Sequence, residues 1–396
     1  MAGAAAQPAR EAVALLDEYR RGDFFLSTAE RTVLARGAGV VVEGHDPAEL
    51  DRELDRVLAD APGSMAVGVL PFDADSAATP ARLTVPQRLW TSEPAHEAVR
   101  QRAARAVPAP ATVTPVPEPE RHRAAVRRAL DELHGDGSHA DPLRKVVLAR
   151  ALDITFDIGI DPAVLLYNLV REHSTGFTFA ADLPGERAVP RTLVGSSPEL
   201  LVRRRGDRVI AHPHAGSAPR TGDPETDERH AAALLASAKD HAEHAMVIEA
   251  VVDALRPLCR NLDVPAAPAL EATPTMWHLG TAITGELRED VSALRLAAAL
   301  HPTPAVCGTP TAAARELVRE LEPFDRAYYA GAIGWVDAAG DGEWVVSIRC
   351  AEVASRTLRL YAGGGIVAAS EPEAELAETT AKFRTLLRAM GLSPEL

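Results

Sequence analysis

"TLVGSSPELLVRRRGDRVIAHPHAG", residues 192 to 216, decides how this chain is layered. Short β-favouring runs around Leu193, Leu201 and Ile210 are separated only by turn residues. "RRGDR" (204 to 208) supplies a Gly-Asp pair suited to a tight hairpin, so two or three antiparallel strands are expected here. The device recurs in "AGAIGWVDAAGDGEWVVSIRCAEV" (330 to 353), turning at "AAGDGE", and "TLRLYAGGGIV" (357 to 367) adds a further strand. Working outward, helical patterns fall in separate blocks near 227–256, 291–300, 310–321 and 371–390. Consecutive hairpins with segregated helices predict an α+β layering, a large antiparallel, sandwich-like sheet with helices around it, and not a doubly wound βαβ fold.

Upstream, "GVVVEG" (39 to 44) and "SMAVGVLPF" (64 to 72) read as strands flanking a helical "PAELDRELDRVLADA". A Pro-rich stretch, "AVPAPATVTPVPEPE" (106 to 120), reads as an extended connection crossing the surface. A helix, "RHRAAVRRALDELH", and a strand, "RKVVLARALDITF", follow it. The N-terminal strands are too few to close a core alone. One domain over 1–396 is therefore expected, with 1–105 adding strands to the same core and 121–392 carrying the motifs.

Bulk composition excludes several function classes. A chain of 396 residues with 46% hydrophobic and 25% charged side chains can bury a substantial core. A formal charge of −14 argues against nucleic acid or an anionic membrane as partner. No apolar run is long enough to span a bilayer, and the opening residues lack a secretion-signal layout. Cys259, Cys307 and Cys350 are odd in number and widely spaced, as free thiols in a reducing compartment would be, and a cytoplasmic location is expected.

Of the 42 basic residues only three are lysines, Lys145, Lys239 and Lys382. Coding bias explains most of the arginine. Even so, an ammonium can lose its proton where a guanidinium cannot, so these three positions merit inspection.

"LLASAKDHAEHAMVIEA" (234 to 250) places Asp240 and Glu243 three residues apart on a helical face continued by Val247, Ala250 and Ala254. "EPEAELAETTAKFRTLLRAM" (371 to 390) repeats the pattern with Glu375 and Glu378, and Lys382 lies four residues further on. Either pair alone reads as ordinary surface charge. Two matching pairs of carboxylates favour a hard cation, Mg²⁺ over Zn²⁺. His241 and His244 point off this face and read as structural. No phosphate-binding loop, dinucleotide fingerprint or nucleophile elbow is present, so a carboxylate-bearing small molecule is a serious substrate class. Lys145 is either a lysine whose pKa an apolar setting lowers toward neutrality, fitting it for proton transfer, or a guard against strand-edge aggregation. Glu199, in "GSSPELLV", is a rim carboxylate or simply a solvated turn acid, and sequence physics alone favours the latter.

Nine stretches resemble the chorismate-utilising enzymes, the family of isochorismate, salicylate, anthranilate and aminodeoxychorismate synthases. They are "RKVVLAR", "LVGSSPELLVR", "AHPHAGSAPRTGD", "AKDHAEH", "MWHLGTAITG", "LHPTPAVCGTP", "FDRAYYAGAIGW", "VSIRCAEV" and "ELAETTAKF". They run in the family's order over roughly residues 115–392, and "FFLSTAERTVLARG" resembles the family's opening strand. Where aminodeoxychorismate synthases carry a nucleophilic lysine in P-I-K-G-T, this chain reads "PHAGS" with Ala215 in that slot. The resemblance is nearest to isochorismate synthases of the branch feeding 2,3-dihydroxybenzoate for siderophores. A salicylate synthase and a menaquinone-pathway isochorismate synthase are the alternatives.

That resemblance implies Mg²⁺ held by Glu243 and Glu378 with Asp240 and Glu375 in support. It implies Lys145 as general base for water attack on the ring of chorismate, and Glu199 as the acid that protonates the departing hydroxyl. Tyr329 and Arg349 would hold the enolpyruvyl carboxylate, His278 and Lys382 the ring-carboxylate side, and Ala305 part of the wall. Backbone around Gly216, Ser217, Gly364 and Gly365 would approach the substrate. "AGGGIV" carries one glycine more than the family's usual G-A-G-I-V, which predicts a looser loop there. A monomer without a glutaminase subunit is expected.

Overall fold

The computed structural model describes residues 11–61, 63–135, 142–173, 176–184 and 189–392; residues 1–10, part of the opening stretch considered above, lie outside them. Among the described residues, seventeen strands form one antiparallel sheet, with a separate three-stranded sheet beside it. The large sheet is a ribbon that doubles back. One half contains Leu200–Arg205, Gly342–Val346 and Ala332–Asp337, and the other contains Thr192–Ser197, Cys350–Ala354, Thr357–Ile366 and Lys145–Phe156. Strands before residue 105 join them: Phe24–Ser27 pairs with Phe177–Asp182, and Met65–Leu70 with Ala332–Asp337. Side chains from both halves share one apolar cluster, Val146 and Leu148 with Val202, Trp344 and Val345. A second cluster lies beneath the helices Ala12–Glu18, Pro162–Glu172 and Pro372–Ala389. The protein is α+β, a large antiparallel sheet curled on itself with surrounding helices.

Several local expectations change. The opening stretch contains one hairpin, Leu200–Arg205 with Arg208–His212 around Gly206-Asp207, because Thr192–Ser197 pairs in the opposite half of the ribbon. Pro198-Glu199 is therefore a crossing between layers. Ser347-Ile348-Arg349 crosses in the same way from Gly342–Val346 to Cys350–Ala354. The two crossings bind each other: Val346 N–H donates to Glu199 O at 3.1 Å, and Ser196 N–H to Arg349 O at 3.1 Å.

The Pro-rich stretch is not merely a connection. Pro110–Val116 pairs with the edge of Lys145–Phe156, where a proline's missing donor can face away from the ladder. "FFLSTAERTVLARG" is two paired strands, and "GVVVEG" ends a strand running Thr32–Gly44. The helical run near 227–256 is two helices, Pro224–Ala236 and Ala238–Leu255. Ser237 is extended between them, and its hydroxyl accepts the Asp240 N–H at 3.2 Å. Asp240 thus sits in a first turn, where the helix dipole favours an anion. The glycine run is no loop. Gly363, Gly364 and Gly365 lie inside Thr357–Ile366, paired with Ala149, Leu148 and Val147.

Candidate active site

The layer crossings, the helices Ala238–Leu255 and Pro372–Ala389, and the glycine-bearing strand surround a chamber of about 650 Å³. Of the residues singled out above, Glu199, Gly216, Ser217, Glu243, His278, Ala305, Tyr329, Arg349, Gly365, Glu378 and Lys382 line it. Lys145, Asp240, Glu375 and Gly364 stand immediately behind this lining. A Cβ on Gly365 would overlap Glu243 Oε1 and lie 3.0 Å from Lys145 Cε, so only glycine lets the strand pass beneath both. Gly216, at φ +83°, faces Asp240, and Gly364 faces Glu375.

Lys145 begins its strand fully buried, and its Nζ lies 2.8 Å from Glu243 Oε1 without hydrogen-bond alignment. The Lys145 nitrogen is thus set against a carboxylate while its donors stay uncommitted. Glu199 is 2% exposed, and burial pushes its carboxyl up to about 7 despite a hydrogen bond from the His214 backbone N–H and attraction from Lys145 and Arg349. Near neutrality such a carboxyl can hold a proton to donate.

Arg349 adopts φ +50°, a left-handed conformation that costs a non-glycine residue of the order of 1 kcal/mol and is here held by the crossing. Burial lowers its guanidinium to about 10, which leaves it charged. Tyr329 stacks on Tyr361 with ring centroids 4.7 Å apart, and burial drives its phenol upward. His278 is held well below its ordinary value by burial and Arg349, so its ring is neutral.

The four carboxylates gather at and just behind the chamber wall. Glu378 accepts from Lys382 Nζ at 2.6 Å and Ser217 Oγ at 3.4 Å. Burial alone would raise it, but Lys382 and Lys239 hold it low. Glu375 Oε1 accepts from Lys239 Nζ at 2.7 Å, while its buried Oε2 has no partner. Burial and Glu378 push Glu375 up to about 7. Asp240 is raised by burial and by Glu243 and Glu378.

No three of these carboxylates bring oxygens within 4.8 Å of one another; among the described residues the trio that does is His212, His214 and Glu271. Mutual repulsion, an unpartnered buried oxygen and an all-oxygen donor set nevertheless fit a hard divalent cation. Each lysine in the chain faces one of these acids: Lys145 meets Glu243, Lys239 meets Glu375 and Lys382 meets Glu378. Lys239, flagged only by its rarity in the sequence, is a contributor that motif reading missed. His214, which also lines the chamber, gave no signal beyond its place beside Ala215.

His244 points away from the acids. Its Nδ1 lies 3.1 Å from Ala215 O and its Nε2 2.7 Å from Thr281 Oγ1, which fixes the strand His214–Pro219 to the helix. His241 Nε2 meets Leu235 O at 2.9 Å.

Residues 75–391 match the family described as chorismate binding enzyme. The chain is 49% identical over 398 aligned residues to isochorismate synthase DhbC of Bacillus subtilis, covering 96% of each chain. It is 40% identical to the vibriobactin-specific isochorismate synthase of Vibrio cholerae, covering 95% of this chain and 93% of that one. The crystal structure of DhbC from Bacillus anthracis superposes with TM-score 0.89 at 44% identity, over 96% of this chain and all of that one. MenF, the menaquinone-specific isochorismate synthase of Escherichia coli, shares the fold with TM-score 0.80 at 24% identity, over 97% and 92% of the two chains. With a family model matched over most of its length and near-half identity to a full-length relative, the chain belongs to the chorismate binding enzymes.

Proposed function

We propose that the protein is an isochorismate synthase that interconverts chorismate and isochorismate with Mg²⁺, in the branch leading to 2,3-dihydroxybenzoate. The observation that carries the reading is a buried carboxyl held near 7, Glu199, in a chamber backed by a fully buried lysine, Lys145. That pairing sets a carboxyl able to hold a proton and a buried amine around one water-poor space, the two groups that proton transfer to and from a ring substrate requires. Similarity to DhbC and to the vibriobactin-specific enzyme supports both the reaction and the branch.

Lys145, as the free amine, takes a proton from water while the water oxygen forms a bond to ring C2. The ring double bonds shift, the C4–oxygen bond breaks, and the Glu199 proton goes to the leaving hydroxyl, which departs as water. Lys145 ends protonated and Glu199 ionised, and proton exchange with solvent restores both. Glu243 and Glu378, with Asp240 and Glu375 behind them, would hold Mg²⁺, which would supply positive charge for the ring carboxylate. Arg349 offers a planar fork to the enolpyruvyl carboxylate beside the Tyr329 hydroxyl. His278 and Lys382 line the ring-carboxylate side, and Ala305 the wall. With Ala215 in place of a nucleophilic lysine and water as nucleophile, the chain acts without a glutaminase subunit, as a monomeric cytoplasmic enzyme. Among the described residues no helix is long and apolar enough to cross a membrane.

Chromatography of products after incubation with chorismate, with and without a chelator, tests this reading. Isochorismate formed only with the metal is the expected result. Stoichiometric salicylate would instead indicate a salicylate synthase, and full turnover by Lys145→Ala or Glu199→Ala would contradict the assigned roles.

A further inference from the structure

A second chamber lies behind Pro198, His214, His278 and Arg349, which line both it and the first. On its wall, His212 Nε2 lies 2.6 Å from Glu271 Oε1, and His214 Nε2 lies 2.9 Å from Glu271 Oε2. The three come from three strands, Arg208–His212, His214–Pro219 and Ala269–Ala272; the last two flank Met276–Gly280 in one sheet, and His212 ends the strand that precedes His214 by one residue, Pro213. None belongs to the acid pairs assigned to Mg²⁺. We propose that His212, His214 and Glu271 form a second metal site, for a borderline divalent cation of the Zn²⁺ type.

Donor chemistry decides the cation. Two imidazole nitrogens and one carboxylate oxygen suit Zn²⁺, whereas Mg²⁺ favours oxygen alone. Three protein ligands would leave a fourth position for water. Zinc bonds of about 2.0–2.1 Å place tetrahedral ligand atoms roughly 3.4 Å apart. The two contacts to Glu271 would open by less than about 1 Å, and the remaining separations, now within 4.8 Å, would adjust to that spacing as metal replaces the bridging protons.

The surroundings are built for such an ion. Gly280 leaves the space between Glu271 and His214, since a Cβ there would lie 2.7 Å from Glu271 Oε1 and 2.8 Å from His214 Nε2. His214 is 8% exposed and His278 4% exposed, and their rings meet edge-on with centroids 5.7 Å apart. His278 Nε2, in the same chamber, is buried without a hydrogen-bond partner. Cys259, Cys307 and Cys350 are buried singly and offer no thiolate cluster to compete for zinc.

The test is zinc binding by untagged full-length protein in millimolar Mg²⁺, read by competition with a chromophoric chelator. Co²⁺ in place of Zn²⁺ provides a visible absorption band characteristic of low coordination with nitrogen ligands. Wild type should take up one equivalent of zinc and show the cobalt band. His212→Ala and Glu271→Gln should each abolish the band and weaken zinc by at least ~100-fold, the upper end of what loss of a merely supporting group costs. Retained far-ultraviolet circular dichroism would show that the variants fold, and either variant suffices if the other does not. No stoichiometric zinc in wild type, or uptake equal in wild type and variants, would overturn the proposal and leave Glu271 as a hydrogen-bonded bridge between two histidines.

Discussion

Lys145 Nζ and Glu243 Oε1 lie 2.8 Å apart, with Gly365 passing directly beneath both. The strand that carries Gly365 cannot retreat, because Gly365 is paired with Val147. Gly365→Ala should therefore displace Glu243 and the lysine beside it instead of bending the sheet. Since a displacement near 1 Å can cost ~100-fold in rate, kcat should fall by about that factor while thermal stability changes modestly. Steady-state kinetics alongside a melting curve checks this, and near-wild-type kcat would refute the close packing.

Glu199 sets a pH dependence whose sign follows from burial. Its folded-state value of about 7 lies above the ordinary 4.5, so the folded protein binds this proton more tightly than the unfolded chain does. The associated stability is fully present below pH 4.5 and is lost as pH rises through about 7, a difference of the order of 3 kcal/mol. Wild type should show a decline in melting temperature between pH 5 and pH 8, and Glu199→Gln should flatten it. Parallel declines would show that another group is responsible.

Lys239, 2.7 Å from Glu375, should compete with Mg²⁺ for the acids proposed to hold it. Removing it as Lys239→Met leaves Glu375, 1% exposed at its side chain, without its cation. The metal-free protein should lose roughly 3 kcal/mol, the usual scale for breaking a buried pair. Mg²⁺ should then raise the melting temperature more than it does in wild type. An equal or smaller Mg²⁺ effect would mean that Lys239 does not oppose the cation.

Arg349→Lys keeps a positive charge in the chamber but removes the planar fork. Loss of one charge-assisted hydrogen bond, about 1.5–3 kcal/mol, should raise KM for chorismate by roughly 10–100-fold with a smaller change in kcat. A fall confined to kcat would place Arg349 in the chemical step instead.

The α+β class was legible because strand alternation and helical periodicity are local properties, present in 192–216 and 330–353 alike. Matching i,i+3 acids made Asp240, Glu243, Glu375 and Glu378 visible for the same reason. What escaped depends on partners remote in the chain. Nothing near Glu199 reveals that its turn crosses between layers and is clamped to Arg349. A solvated turn acid was the better reading of "SSPELL" alone, and burial reverses it. Proline in 110–116 masked a strand because its position at the sheet edge is a tertiary fact. The glycine run looked like a loop because glycine's absence of a side chain is read locally as freedom. Here it makes room for Tyr329, Glu375 and Glu243. The trio His212, His214 and Glu271 was invisible since its acid lies on a separate strand, Ala269–Ala272.

The most direct test of the account follows oxygen. Chorismate turned over by the wild-type protein in ¹⁸O-labelled water should give isochorismate carrying one heavy oxygen, at C2, because Lys145 activates solvent and Glu199 releases the original hydroxyl. Isochorismate without label would mean that the hydroxyl migrates within the substrate, and would contradict the roles given to both residues.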